Sequence, residues 1–236
     1  ELVRVNQEAD WFATDVRFHA LGTSFLLQGA RPVTVPRLGS HNVYNALAVI
    51  AAAHHLGVPE EEVLRRLADV PSAARRLEPK RVGGVTIFDD TYNMNPESAR
   101  SALQAIAGLR PERGGRAVAV LGGMAELGAD SAALHRRLGE QVARSGQDRL
   151  VCVGADARAI ADGALAAGMP AARVLHVDDA DAARAALLDE LSPGDRVLCK
   201  ASRCVQLDRF VDRLVAELDA RSSASPTAAD EEASRG

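Results

Sequence analysis

The stretch Asp89-Asp-Thr-Tyr-Asn-Met-Asn-Pro puts two acids, a tyrosine and two asparagines within seven residues. The apolar run Val85-Thr-Ile-Phe before it reads as a strand, and Pro96 suits the first turn of a helix behind it. The cluster therefore belongs on a strand-to-helix loop. At the carboxyl end of a strand, Asp89 and Asp90 can accept hydrogen bonds from a sugar's hydroxyls. Asn93 and Asn95 tolerate the backbone angles of a tight loop, which alone would account for them. Together with Tyr92, the set exceeds what a turn needs.

A second candidate is Leu38-Gly-Ser-His-Asn-Val-Tyr-Asn-Ala-Leu-Ala. A glycine turn opens a helix and sets His41, Asn42 and Asn45 in its first turns, with Asn42 and Asn45 three apart on one face. Unpaired N–H groups and partial positive charge at a helix start suit a nucleotide or another anion. An ordinary capped surface helix would look the same. A third candidate is the pair Arg75 and Arg76, which are either solvated charges on a joint or a guanidinium fork for phosphate oxygens.

The elements that must position these residues follow from periodicity. Residues 1–37 read as strands, among them Asp15-Val-Arg-Phe-His-Ala, Ser24-Phe-Leu-Leu and Val33-Thr-Val. A helix follows from Asn42, with Ser40 as its cap and Gly57 as its stop, then a short one from Pro59. Pro71 to Pro79 is a polar joint, and the domain boundary is placed near Glu78. Beyond it, strand-like runs at Val85, Ala117, Leu150, Val174 and Arg196 alternate with helices, and a last helix spans about Val205 to Leu218. Such alternation predicts an α/β fold with a mostly parallel, Rossmann-like sheet covered on both faces. Residues 223–236 lack large apolar side chains and are expected to form a disordered tail.

A net charge of −4 gives no basic footprint for nucleic acid, and no apolar run reaches membrane-spanning length. The three cysteines are too few for a disulfide framework; Cys152 and Cys199 read as buried small hydrophobes. The expected setting is the cytoplasm. The two lysines, Lys80 and Lys200, stand out among the many arginines.

At the three candidate segments the sequence resembles the Mur ligase family, in which Gly-x-His-Asn-x-x-Asn-Ala recurs. Asp89-Asp-Thr-Tyr-Asn-Met-Asn-Pro is similar to the string of the branch that adds D-alanyl-D-alanine. Val120-Leu-Gly-Gly-Met-Ala-Glu-Leu-Gly, with His135 downstream, and Leu198-Cys-Lys-Ala-Ser-Arg resemble that branch too. The resemblance implies that residues 1–78 are the end of a central ATPase domain and 79–222 the carboxy-terminal domain. It implies an ATP-dependent amide ligase of peptidoglycan synthesis, a monomer whose substrates are a UDP-muramoyl tripeptide and D-Ala-D-Ala, with Mg2+ held mainly by residues outside this chain. His41, Asn42, Asn45, Arg76 and Asp90 would contact ATP. Tyr92, Asn93, Asn95, Lys200 and Ser202 would line the closing face or the substrate, and none would bind metal.

Departures accompany the matches. No Gly-x-x-x-x-Gly-Lys-Ser/Thr run occurs, so the loop that cradles the β- and γ-phosphates is missing. Gly123 stands where the branch usually has aspartate, and Ala201 where glycine is usual. The expectation is a fragment of a longer ligase; the alternative is a non-catalytic nucleotide-binding or regulatory module derived from one. A ligase of the folate-polyglutamate type would share the fold but not the Asp-Thr-Tyr-Asn-x-Asn-Pro string.

Overall fold

Alternating apolar positions in the first segment build an antiparallel meander. Its strands are β1 (Val3–Val5), β2 (Ala13–His19), β3 (Gly22–Leu27) and β4 (Arg31–Val35), in that order. One face, carrying Ala13, Val16, Phe25, Leu27, Val33 and Val35, is buried. Val43, Leu47 and Ile50 of α1 (Ser40–His55) and Val63 and Leu67 of α2 (Glu60–Ala68) cover it. The computed structural model describes residues 3–5, 10–19, 22–71, 74–107, 109 and 114–224. The expected tail beyond residue 224 lies outside them.

The second sheet starts with a hairpin of β5 (Glu78–Val82) and β6 (Val85–Asp90), closed by Gly83 and Gly84, both at positive φ. Then come α3 (Pro96–Ala107), β7 (Ala117–Gly122), α4 (Ser131–Arg144), β8 (Arg149–Val153), α5 (Arg158–Ala166), β9 (Val174–Val177), α6 (Ala180–Leu188), β10 (Arg196–Lys200) and α7 (Leu207–Ala224). The strand order is β5-β6-β10-β7-β8-β9, parallel except for β5.

Handedness explains the layers. From β6 to β9 each crossover steps the same way across the sheet, so right-handed connections put α3, α4 and α5 on one face. The step from β9 back to β10 reverses direction and puts α6 on the other face, where α7 joins it. Two cores result. Phe88, Leu121 and Leu198 pack under α3–α5, and Ile87, Val120 and Val197 pack under α6 and α7. Leu38 and Leu77 also enter the first of these cores, beside Phe88 and Met94. That contact ties the start of α1 and the joint to the end of β6.

Three local expectations change. No strand is expected at β5: its first two residues, Glu78 and Pro79, fall in the predicted polar joint, and the expected boundary lies there. With Pro79 and few apolar residues β5 carries no strand pattern, and it is tolerated because it is an edge strand. Gly39, not Ser40, is the N-cap of α1, and Ser40 is already helical. The last helix continues to Ala224, so Ser223 and Ala224, assigned to the tail, are helical. Cys152 and Cys199 are fully buried, and burial pushes the Cys152 thiol up to about 12.

Helices α4 and α5 touch backbone to backbone. A Cβ on Gly139 would stand 1.9 Å from the Ile160 carbonyl, and one on Gly163 would stand 2.0 Å from that of Arg136. Alanine would gain roughly 1 kcal/mol of helix propensity, but overpacking of this kind costs about 3 kcal/mol. Gly163→Ala is therefore expected to lower stability by about 2 kcal/mol net. A denaturant midpoint equal to that of the parent would show that the two helices separate freely.

Candidate functional site

Strands β6 and β10 lie side by side in register, with Asp90 opposite Lys200 at their carboxyl ends. Successive side chains on a strand point to opposite faces, so Asp89 and Asp90 part company. Asp89 is fully buried; one oxygen accepts from the Thr91 hydroxyl at 2.6 Å, and the other pairs with Lys80 at 3.0 Å. Asp90 faces the other way, toward α1. Lys200 Nζ sits 2.7 Å from one of its oxygens, and the Leu77 N–H donates to the other at 3.3 Å. Desolvation raises the Asp90 pKa above the ordinary aspartate value, and Lys200 draws it partly back.

Lys200 is 2% exposed and donates at 2.9 Å to the Asn93 carbonyl. Ser202, also buried, donates to the Met94 carbonyl at 3.1 Å and accepts from the Ala125 N–H at 2.9 Å. These two side chains staple the 93–94 backbone from behind. Asn93 accepts from the Met94 N–H, and Asn95 caps α3 by accepting from the Ser98 N–H at 2.8 Å. Nearby, His135 accepts from the Met124 N–H at 2.8 Å and is buried, so it clamps that loop.

At the start of α1, Gly39 has φ 104, and a Cβ there would stand 2.6 Å from the His41 ring. The positive φ calls for glycine here, and the missing Cβ leaves the imidazole room. The Asn42 amide donates to the Leu38 carbonyl at 2.7 Å and lies 3.0 Å from His41 Nε2. Partial burial, then the charges of Lys200 and Arg76, hold His41 below the usual histidine range.

The two joint arginines separate. Arg75 turns to α7 and pairs with Asp208 at 2.7 Å and Asp212 at 2.9 Å. Arg76 is exposed, and its guanidinium carbon stands 4.3 Å from the centre of the Tyr92 ring.

His41, Asn42, Asn45, Arg76, Asp90, Tyr92, Asn93, Asn95 and Lys200 line one cavity of about 420 Å³. Ser202 does not; it lines a neighbouring cavity of about 860 Å³ with Glu126 and Arg203. Sequence reasoning missed Arg37, Glu97, Ser98 and Ser101 in the first cavity. Ser98 and Ser101 were legible as i and i+3 neighbours on α3, whereas nothing local marked Arg37. The amino ends of α1 and α3 both reach this cavity, joined by Arg37, Arg76 and Lys200. Lys200 is paired to Asp90, and Glu97 sits in the first turn of α3. Arg37, Arg76 and the helix ends therefore leave a modest positive excess for an anion, and the amides and Asp90 offer partners for polar edges and hydroxyls.

The residues do not fit a metal ion. Among the described residues no group of three or more His, Cys, Asp or Glu lies close enough to hold one, and Lys200 already neutralises Asp90.

The family description "Mur ligase, glutamate ligase domain" matches residues 75–203. UDP-N-acetylmuramoyl-tripeptide--D-alanyl-D-alanine ligase of Mycobacterium tuberculosis is 41% identical over 196 residues, covering 76% of this chain and 38% of that protein. A crystal structure of MurF from Acinetobacter baumannii superposes with a TM-score of 0.78 at 30% identity, covering 89% of this chain and 46% of the other. MurF ligase from Thermotoga maritima in complex with ADP gives 0.74 at 26% identity, covering 90% of this chain and 47% of the other. The chain thus spans less than half the length of these relatives.

Proposed function

The chain belongs to the Mur ligase family, and on that premise we propose that it is the nucleotide-closing part of an ATP-dependent amide ligase. The proposed reaction joins D-alanyl-D-alanine to UDP-N-acetylmuramoyl-tripeptide in peptidoglycan synthesis, in the cytoplasm. ATP would phosphorylate the tripeptide's terminal carboxylate, and the dipeptide amine would displace phosphate to leave the amide. The carrying observation is that α1, the joint and the end of β6 converge on one cavity.

In this reading Asn42 and Asn45 meet the adenine, with His41 beside them, and Asp90 accepts from the ribose hydroxyls. Arg76 offers a planar fork of donors to the phosphates. Lys200 and Ser202 act through the loop they staple, keeping Tyr92, Asn93 and Asn95 on the closing face. Residues 1–78 belong to the central domain and 79–222 to the closing one. Mg2+ serves the ligase through residues outside this chain, since those here do not suit it. No helix among the described residues is long and apolar enough to cross a membrane.

Titration calorimetry of this chain with ADP tests the reading. ADP should bind, and Asp90→Asn should weaken it roughly tenfold, the equivalent of one lost charge-assisted hydrogen bond. With no glycine-lysine phosphate loop, the chain by itself should bind nucleotide without forming amide. Equal ADP affinity in parent and Asp90→Asn would remove Asp90 from the ribose.

A further inference from the structure

We propose that Tyr92 is a positioning residue for Arg76, its ring being the platform that holds the guanidinium over the cavity. The backbone makes the case first. Arg75 has φ 60 and Leu77 φ 50, so two left-handed residues bracket Arg76. Three consecutive side chains then leave in three directions. Arg75 goes to the acids of α7, Leu77 enters the core beside Phe88, and Arg76 is left in solvent at the cavity.

A solvated arginine samples many rotamers, and ordering it on binding lowers affinity. Tyr92 meets that cost in advance. Its N–H donates to the Arg75 carbonyl at 3.1 Å, which locks loop to joint and brings its ring 4.3 Å from the guanidinium. Tyr92 is 50% exposed, so the core does not require its ring. With one face covered by Arg76, the tyrosine works on phosphate through the arginine.

The ligand in this proposal rests on the nucleotide reading; the pairing rests on the geometry alone. Two measurements on this chain separate them. In the ligand-free protein the Arg76 side-chain N–H resonance should be shifted upfield by the ring current, with the shift kept in Tyr92→Phe and lost in Tyr92→Leu. In titrations, Tyr92→Leu should weaken ADP roughly two- to fivefold, the usual scale of an exposed cation–π contact. Adenosine, which has no phosphate, should bind parent and Tyr92→Leu alike. Tyr92→Phe should hold ADP as the parent does, and Tyr92→Leu should add nothing in an Arg76→Gln background.

An absent ring-current shift, additive effects in the double variant, or adenosine weakened as much as ADP would each overturn the assignment. Failure of the parent to bind ADP would sink the nucleotide reading, while the resonance would still decide the pairing.

Discussion

Lys200→Met is expected to destabilise the protein by about 3–5 kcal/mol, the range for removing one partner of a buried ion pair. Lys200 is 2% exposed and holds Asp90 at 2.7 Å and the Asn93 carbonyl at 2.9 Å. Methionine fills much of the space but leaves a desolvated carboxylate with only the Leu77 N–H. Asp90 already has a raised pKa with the lysine present, and losing the lysine raises it further. A group whose folded pKa lies above its unfolded value contributes stability below the unfolded value and loses it as pH rises through the folded one. The variant should therefore come closest to the parent in acid, with the deficit growing as pH climbs through the raised Asp90 value. Adding Asp90→Asn removes the buried charge and should recover at least half of the loss. Urea melts at several pH values measure all of this; a deficit independent of pH would mean that packing, not the ion pair, sets the effect.

The second large effect distinguishes neighbours. Arg76→Ala should weaken ADP roughly tenfold or more, by losing charge-assisted bonds to phosphate, while leaving the melting curve in place. Arg75→Ala should do the opposite. It frees Asp208 and Asp212 from the joint and should cost about 1–2 kcal/mol of stability, with ADP affinity near that of the parent. Arg76→Lys should recover only part of the affinity, because an ammonium keeps the charge but loses the paired donors. Calorimetry and denaturation on the same three proteins suffice. If Arg75→Ala abolished binding and Arg76→Ala did nothing, the two arginines would exchange roles.

The sequence by itself determined the kinds of element and their order, because strand and helix periods are local properties. Alternation after Val85 was enough for a parallel α/β sheet, and Gly39, Pro96 and Gly57 marked helix ends. It also pointed to nine side chains that one cavity now gathers. Residue types alone could not choose between adjacent residues; the family resemblance, and not the local pattern, singled out Asp90 and Arg76. Asp89 and Asp90 look alike in the chain, and only the pleat of β6 against β10 turns one to Lys80 and the other to the cavity. Arg75 and Arg76 look alike too, until two left-handed residues and the acids of α7 separate them. Lys200 read as a ligand-facing charge and lines the cavity; only the fold shows that it also donates to the Asn93 carbonyl, 107 positions earlier, and stabilises that loop from behind. Strand β5 had no pattern of its own and exists because β6 offers it an edge. These choices depend on contacts between segments far apart in the chain, and such contacts form only once the sheet has set its strand order.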